Sequence, residues 1–200
     1  MKWGLDVSTA PTAEPISTAE AKTHLRVTVS TDDTYIDTLI ASARHWVEQH
    51  CGIALIDQTL KLYLDRFPIC DEPIMLPRPP SQTISSVTYV DEDGTTQTWT
   101  SSKYALDAIR HPGRLHTAYN ETYPTVRSIE NAVIVTYVAG YGATGASVPP
   151  DIIHAMKLLL TQWYEVRESV CPTTLSEPPY SVKALLGHYR TYYRGPILSC

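Results

Sequence analysis

Apolar residues recur along this chain at two spacings, and the points where the spacing changes divide it into parts. Between residues 33 and 52, Ile36, Leu39, Ile40, Ala43, Trp46 and Val47 follow one another at intervals of three and four, which gathers them on one face of a helix. Ser30-Thr31-Asp32-Asp33 supplies the start signal and Gly52 the stop. Upstream, Ser17 with Glu20 three positions later spells a capping box, with Ile16 available as a hydrophobic staple, so a short helix is expected to run to about Leu25. The residues before Ile16 read as a polar, proline-containing lead.

From Gln58 to Val138 the period is two, so one sheet is expected to interrupt the helices. Leu60, Leu62 and Leu64 fall on one side of a strand, Lys61, Tyr63 and Asp65 on the other. Val87 to Val90 and a Thr-rich return ending near Trp99 flank Asp93-Gly94, a hairpin signal. His111-Pro112-Gly113-Arg114 marks a further turn, "PRPP" at 77–80 a rim where ladder pairing stops, and "NAVIVTYV" a buried strand. Short turns between these runs imply antiparallel pairing. Helical spacing returns at Pro150 through Ile152, Met156, Leu159, Leu160, Trp163 and Val166, ending before Pro172. After a link at 172–179, Ser181 reads as the cap of a last helix with Val182, Leu185, Leu186 and Tyr189 on its apolar side.

The fold class expected is therefore α+β: a helical body with a β-rich antiparallel insertion between the second and third main helices. One domain spans residues 1–200, with a helical body at about 16–52 and 150–189, an insertion at about 58–138 and a C-terminal arm at 190–200. Two hundred residues suffice for one such core and not for two independent enzyme domains.

Composition narrows the function. A net charge of −5 draws neither DNA nor an anionic membrane to the molecule as a whole. The first 15 residues lack the apolar stretch of a signal peptide, and no run approaches the length of a bilayer span, so the chain is expected to be made and folded in a cytoplasm. Cys51, Cys70, Cys171 and Cys200 lie far apart with no C-x-x-C pair, which points to separate reduced thiols and no metal. His45 and His50 are five apart on one helix, off the spacing that stacks two metal ligands. No nucleophile elbow, acid pair or placed histidine is present, so neither a catalytic residue nor a cofactor is expected.

Two segments remain. Gly140-Tyr141-Gly142-Ala143-Thr144-Gly145 has the spacing of a dinucleotide-binding loop, but the following helix starts only at Pro150, with Asp151 in its first turn, where a carboxylate repels phosphate. Gly140, Gly142 and Gly145 are expected instead to form a hinge between sheet and helix. Near the C-terminus Tyr189, Arg190, Tyr192, Tyr193 and Arg194 interleave aromatic and cationic side chains, the residue types that anchor protein interfaces, and are expected to bind a partner. A frayed tail and nucleic-acid contact are the other readings of that composition. Arg110, His111, Arg114 and His116 crowd one turn and are expected to be solvated there, with phosphate contact the sharper alternative.

The stretches "EPISTAEAKTHLRV", "DDTYIDTLIASARHWVEQHCGIALIDQTLKLYLDRFP", "LPRPPSQTISSVTYVDEDG", "PGRL", "VTYVAGYG" and "VPPDIIHAMKLLLTQWYEVRESV" cover most of residues 14–170. In them the chain resembles the head-tail connector, or adaptor, proteins of long-tailed bacteriophages and phage-like gene transfer agents. The resemblance implies an α-helical bundle with a β-rich insertion, a structural protein of the virion neck that forms a ring, dodecameric by family analogy, beneath the portal protein. Such a ring extends the DNA channel, lets DNA pass without specific binding, and is a platform for a stopper or tail-completion protein. No membrane is involved, and an acidic lumen would let DNA slide past. The competing class is a nucleic-acid-binding module of a phage-derived element using Arg110, Arg114, Arg190 and Arg194, and a small hydrolase is the third.

Overall fold

The computed structural model describes residues 3–69, 72–166 and 180–191. The protein is mixed α+β, with four α-helices and two antiparallel sheets among the described residues. These group into two compact units, a sheet unit drawn from residues 3–10 and 57–140 with Thr191, and a helical unit drawn from 11–56 and 141–190.

In the helical unit, α1 (Thr18–Leu25) begins with the capping box that Ser17 and Glu20 spell, and both reciprocal bonds are made. Ile16 is buried beside it. Helix α2 (Asp33–Cys51) buries Ile36, Leu39, Ile40, Ala43 and Val47, the stripe its spacing dictates, and ends on Gly52 in the left-handed region at φ 68°. Helix α3 (Pro150–Glu165) buries Ile152, Ala155, Met156, Leu159 and Leu160. Helix α4 (Tyr180–Leu186) adds Val182 and Leu186 to the same core. Ser181 is the second described residue of α4 rather than its cap, and Tyr189 lies in a 3-10 turn beyond the helix (Gly187–Tyr189).

A buried carboxylate ties this unit together. Glu48, on the buried face of α2, is 2 % exposed and accepts the Leu55 amide at 2.9 Å through one oxygen. Its other oxygen pairs with Arg44 Nη1 at 3.2 Å, and Arg44 also donates through Nε and Nη2 to Glu14 at 2.8 and 3.3 Å. The Glu48 carbonyl accepts from Gly52 and Ile53. One residue therefore governs how the chain leaves α2, because a carboxylate taken out of water must keep its partners or lose several kcal/mol of solvation.

In the sheet unit, β1 (Trp3–Thr9), β2 (Gln58–Leu64), β8 (Val133–Ala139), β4 (Ser81–Val90) and β5 (Thr96–Thr98) form one sheet in that spatial order. A second sheet orders β3 (Ile74–Leu76), β7 (Gly113–Thr117) and β6 (Tyr104–Asp107). Every pairing is antiparallel. The period-two reading holds along β2, where Leu60, Leu62 and Leu64 are fully buried and register with Tyr137, Val135 and Val133 of β8. Tyr137, buried in the middle of the sheet, donates its hydroxyl to the Pro77 carbonyl at 2.5 Å. Phe67, Tyr89, Trp99, Tyr104 and Tyr123 make a second, aromatic cluster with ring centroids 5.1 to 6.0 Å apart.

Three sequence expectations are corrected. The N-terminal lead is strand β1, because Trp3, Leu5 and Val7 alternate with Gly4 and Asp6 and stand opposite Leu64, Leu62 and Leu60; the flanking prolines and threonines hid a seven-residue run of period two. The β-rich part is two sheets rather than one. The His111 turn is completed earlier than expected, since Gly113 and Arg114 already pair in β7 with Leu76 and Met75.

Removing the carboxylate by Glu48→Ala is expected to lower stability by about 3 kcal/mol, because Arg44 and the Leu55 amide lose a buried acceptor together. Glu14→Ala, at the solvent end of the same chain of contacts, is expected to cost less than about 1 kcal/mol. Urea unfolding of both variants checks the ranking, and equal losses would refute it.

Candidate assembly surfaces

Residues 140–148 carry the chain from β8 toward α3. Gly140 and Gly142 have φ of 144° and 157°, and Gly145 opens a 3-10 turn that ends at Ser147. Gly145 is glycine for a packing reason: a side chain there would run into the backbone carbonyl of Pro15. At Gly142 a Cβ would stand 2.5 Å from Ser147 Oγ. Helix α3 begins at Pro150 with Asp151 in its first turn, as the sequence requires, and Asp151 accepts a hydrogen bond from the Tyr189 hydroxyl at 3.4 Å. This loop is built by close backbone approach within the protein, so its glycines need no phosphate to explain them.

Of the residues expected to bind a partner, Tyr189 and Arg190 are described, whereas Tyr192, Tyr193 and Arg194 lie outside the described residues. Tyr189 is half-buried against the helical core. Arg190 is exposed and lies close enough to the C-terminal end of α2 to act on its side chains. There His50 stacks on Trp46, ring centroids 4.6 Å apart, and Cys51 sits beneath with its Sγ toward the Leu186 carbonyl at 4.0 Å.

Electrostatics at this corner follow from burial and from Arg190. Desolvation holds the His50 imidazole below the ordinary histidine value, and the nearby cations Arg190 and Lys183 push the same way. Burial pushes the Cys51 thiol up to about 11 against a small opposing pull from Arg190, so it stays protonated and unreactive. Burial also raises Tyr141, to about 12, with the Tyr189 and Cys51 side chains adding to it. Each shift keeps the group neutral at neutral pH, which suits a packed corner and not acid-base chemistry.

The cationic turn separates on folding. Arg110 and His111 are exposed at the tip between β6 and β7, with Arg110 Nε 3.4 Å from Asp107. Arg114 is a half-buried strand residue opposite Met75 and Asp107, and His116 points its Nδ1 toward the Thr117 carbonyl at 2.9 Å. Among the described residues no group of three or more His, Cys, Asp and Glu side chains is arranged to hold a metal ion, and no helix is long and apolar enough to cross a membrane.

Two features escaped the sequence. A cavity of about 590 Å³ in the helical unit is walled by Ile16, Ile40, Ile153 and Ala146 and rimmed by Glu14, Glu20 and Asp37. Ile109, at the β6–β7 tip, is 91 % exposed. The capping box located Glu20, but nothing in the spacing brings 14–20, 37–40 and 144–153 to one place.

Gly145→Ala is expected to cost about 2 kcal/mol, read by thermal unfolding, since the obstructing atoms are backbone and cannot swing aside. The depressed His50 value has a definite sign. The unfolded chain binds a proton near pH 6.5 that the folded chain refuses, so stability falls as pH drops through the ordinary histidine range and levels off below the folded value. In Arg190→Ala the NMR titration of His50 is expected to move upward. Thiol labelling at pH 8 with mass mapping is expected to spare Cys51 until the chain unfolds, and labelling of the folded protein there would contradict the burial argument.

Solved structures are similar to this chain over nearly its whole length. A chain from the virion of a native gene transfer agent particle is 24% identical over 94% of this chain and 96% of that one, with a TM-score of 0.78. A chain from the neck of an empty gene transfer agent particle, computed with C6 symmetry, is 24% identical at TM-score 0.77, covering 95% and 96% of the two chains. A third, from the neck of a native particle computed with C12 symmetry, is 26% identical at TM-score 0.71 over 95% and 96%. No curated protein matches. The family model described as head completion protein matches residues 14–192, from the Glu14 that pairs with Arg44 to the start of the aromatic arm, and the chain belongs to the head completion protein family.

Proposed function

We propose that this protein is a structural adaptor of a virion neck. Copies form a ring beneath the portal, a dodecamer by family analogy, that extends the DNA channel and presents a platform for a stopper or tail-completion protein. The observation that carries the reading is the family match over residues 14–192. Likeness to chains of particle necks computed with six-fold and twelve-fold symmetry supports it. So does the chemistry at the C-terminal end of α2, where burial holds the Cys51 and Tyr141 side chains neutral.

In this reading the two units work as one adaptor subunit, the helices forming a bundle-like body and the strands the inserted part. The segment around Gly140, Gly142 and Gly145 joins them as a hinge. Tyr189 and Arg190 are the root of a C-terminal arm whose Tyr192, Tyr193 and Arg194 dock on the portal or a neighbouring subunit, where aromatic and arginine side chains bury area at low entropic cost. DNA passes through the lumen without specific binding, and no cofactor or membrane takes part. Assembly follows synthesis in the host cytoplasm.

Co-sedimentation with the cognate portal ring tests the reading, and retention of the chain with the portal is the expected result. A chain ending at Thr191 keeps Tyr189 in its contact with Asp151 and is expected to fold with an unchanged melting temperature while losing at least about tenfold in portal or ring attachment. Full attachment of that truncation would remove the arm's docking role. A chain that ignores the portal but shifts duplex DNA, with steep loss as salt rises, would replace the adaptor reading with nucleic-acid binding.

A further inference from the structure

The β6–β7 tip offers an apolar side chain, Ile109, to solvent. The Asp107 carboxylate accepts the Ile109 amide at 3.2 Å and pairs with Arg110 at 3.4 Å, which holds the tip's conformation. At the base of β7 there is no room for a Cβ on Gly113, which would stand 2.7 Å from Ser81 Oγ, so the hairpin is seated tightly on β4. A single exposed isoleucine is ordinary on a protein surface. One held out at 91 % exposure on a braced tip, flanked by Arg110 and His111, is a preformed knob whose ordering cost is already met by the fold.

The cavity of the helical unit has the complementary character. Ile16, Ile40, Ile153 and Ala146 give it apolar walls, and its volume of about 590 Å³ exceeds what one isoleucine fills. Its lining contains three carboxylates and no lysine, arginine or histidine. Glu14 is engaged by Arg44, and Glu20 by the Ser17 cap with Lys157 nearby. Asp37 is exposed and accepts only an uncharged donor, the Thr18 hydroxyl at 2.6 Å, among its described contacts. The backbone contact of Gly145 with Pro15 pins two of its walls, so this hole also exists before anything enters it.

Knob and hole are different surfaces of one chain, as a heterologous contact that repeats head to tail requires, and the hole carries carboxylates that an arginine at the tip can meet. We propose that the tip Ile109-Arg110-His111 of one copy enters the Glu14–Glu20–Asp37 cavity of the next, Ile109 against the apolar walls and Arg110 toward Asp37. A second copy is the occupant because the chain itself supplies both the apolar and the charge complement. The proposal rests on the ring reading above and names its interface. Arg110 meets Asp107 through Nε, and its guanidinium has further N–H donors with which to bind a neighbour's carboxylate.

The test is sedimentation of the purified full chain from micromolar to about millimolar concentration, with imaging of any rings formed alone or on the portal. Wild type is expected to associate with rising concentration. Ile109→Asp and Arg110→Glu are each expected to weaken association at least about tenfold, with thermal unfolding shifted little, since Ile109 faces solvent and the Arg110–Asp107 pair is a surface one worth less than about 1 kcal/mol. The reversed pair Arg110→Glu with Asp37→Lys is expected to recover association to within about threefold of wild type, a rescue that a general loss of solubility or fold would not produce. Rings that persist in Ile109→Asp would overturn this interface while leaving the ring reading intact. Wild type that stays monomeric in solution and forms no ring on the portal would overturn both. Loss of duplex DNA binding in Arg110→Glu with self-association unchanged would assign the tip to nucleic acid and overturn the proposal.

Discussion

The helical unit depends on one buried carboxylate. Glu48 sits where α2 must end and the chain must turn toward β2, and it holds that turn through both its side chain and its carbonyl. Through Arg44 the same group reaches Glu14, so the segment leading into α1 is tied to the middle of α2. An ion chain of this kind contributes little net free energy compared with apolar packing of equal volume, but it penalises alternatives heavily, since any other arrangement leaves a charge without partners in a poorly polarisable interior. Its role is thus to select one course for the chain, and the apolar stripes of α2 and α3 supply the stabilisation.

The sheet unit is organised differently. Strand β8 is central, registering on one side with β2 and on the other with β4, so its alternate residues Val133, Val135, Tyr137 and Ala139 are all buried. Strand β1 is added at one edge by a segment distant in sequence, which extends the leucine face of β2. The aromatic cluster around Phe67 and Trp99 supplies rings where aliphatic side chains are absent, and its tyrosines keep a polar end for the long segment after β7, as when Tyr123 donates to the Glu72 carbonyl.

The groups with displaced titration at the α2 corner are displaced toward neutrality by burial, and Arg190, at the root of the C-terminal arm, reinforces this at His50. That is the pattern of a corner packed for shape.

What the sequence determined by itself was whatever depends on neighbours in the chain. The α1 capping box, the α2 stripe and its Gly52 stop, the β2 alternation and the late start of α3 at Pro150 are all local, set by side-chain periodicity and backbone constraints within a few residues. The resemblance to connector proteins was carried by the same local motifs. Tertiary structure alone decided the rest. Strand β1 exists because β2 offers it an edge, Arg114 leaves the cationic turn because β7 pairs with β3, and the Glu14–Glu48 link and the acidic cavity join residues tens to more than a hundred positions apart. Long-range contacts of this kind leave no periodic trace, since each is specified by which faces the packed elements bring together and not by the order of residues along any one of them.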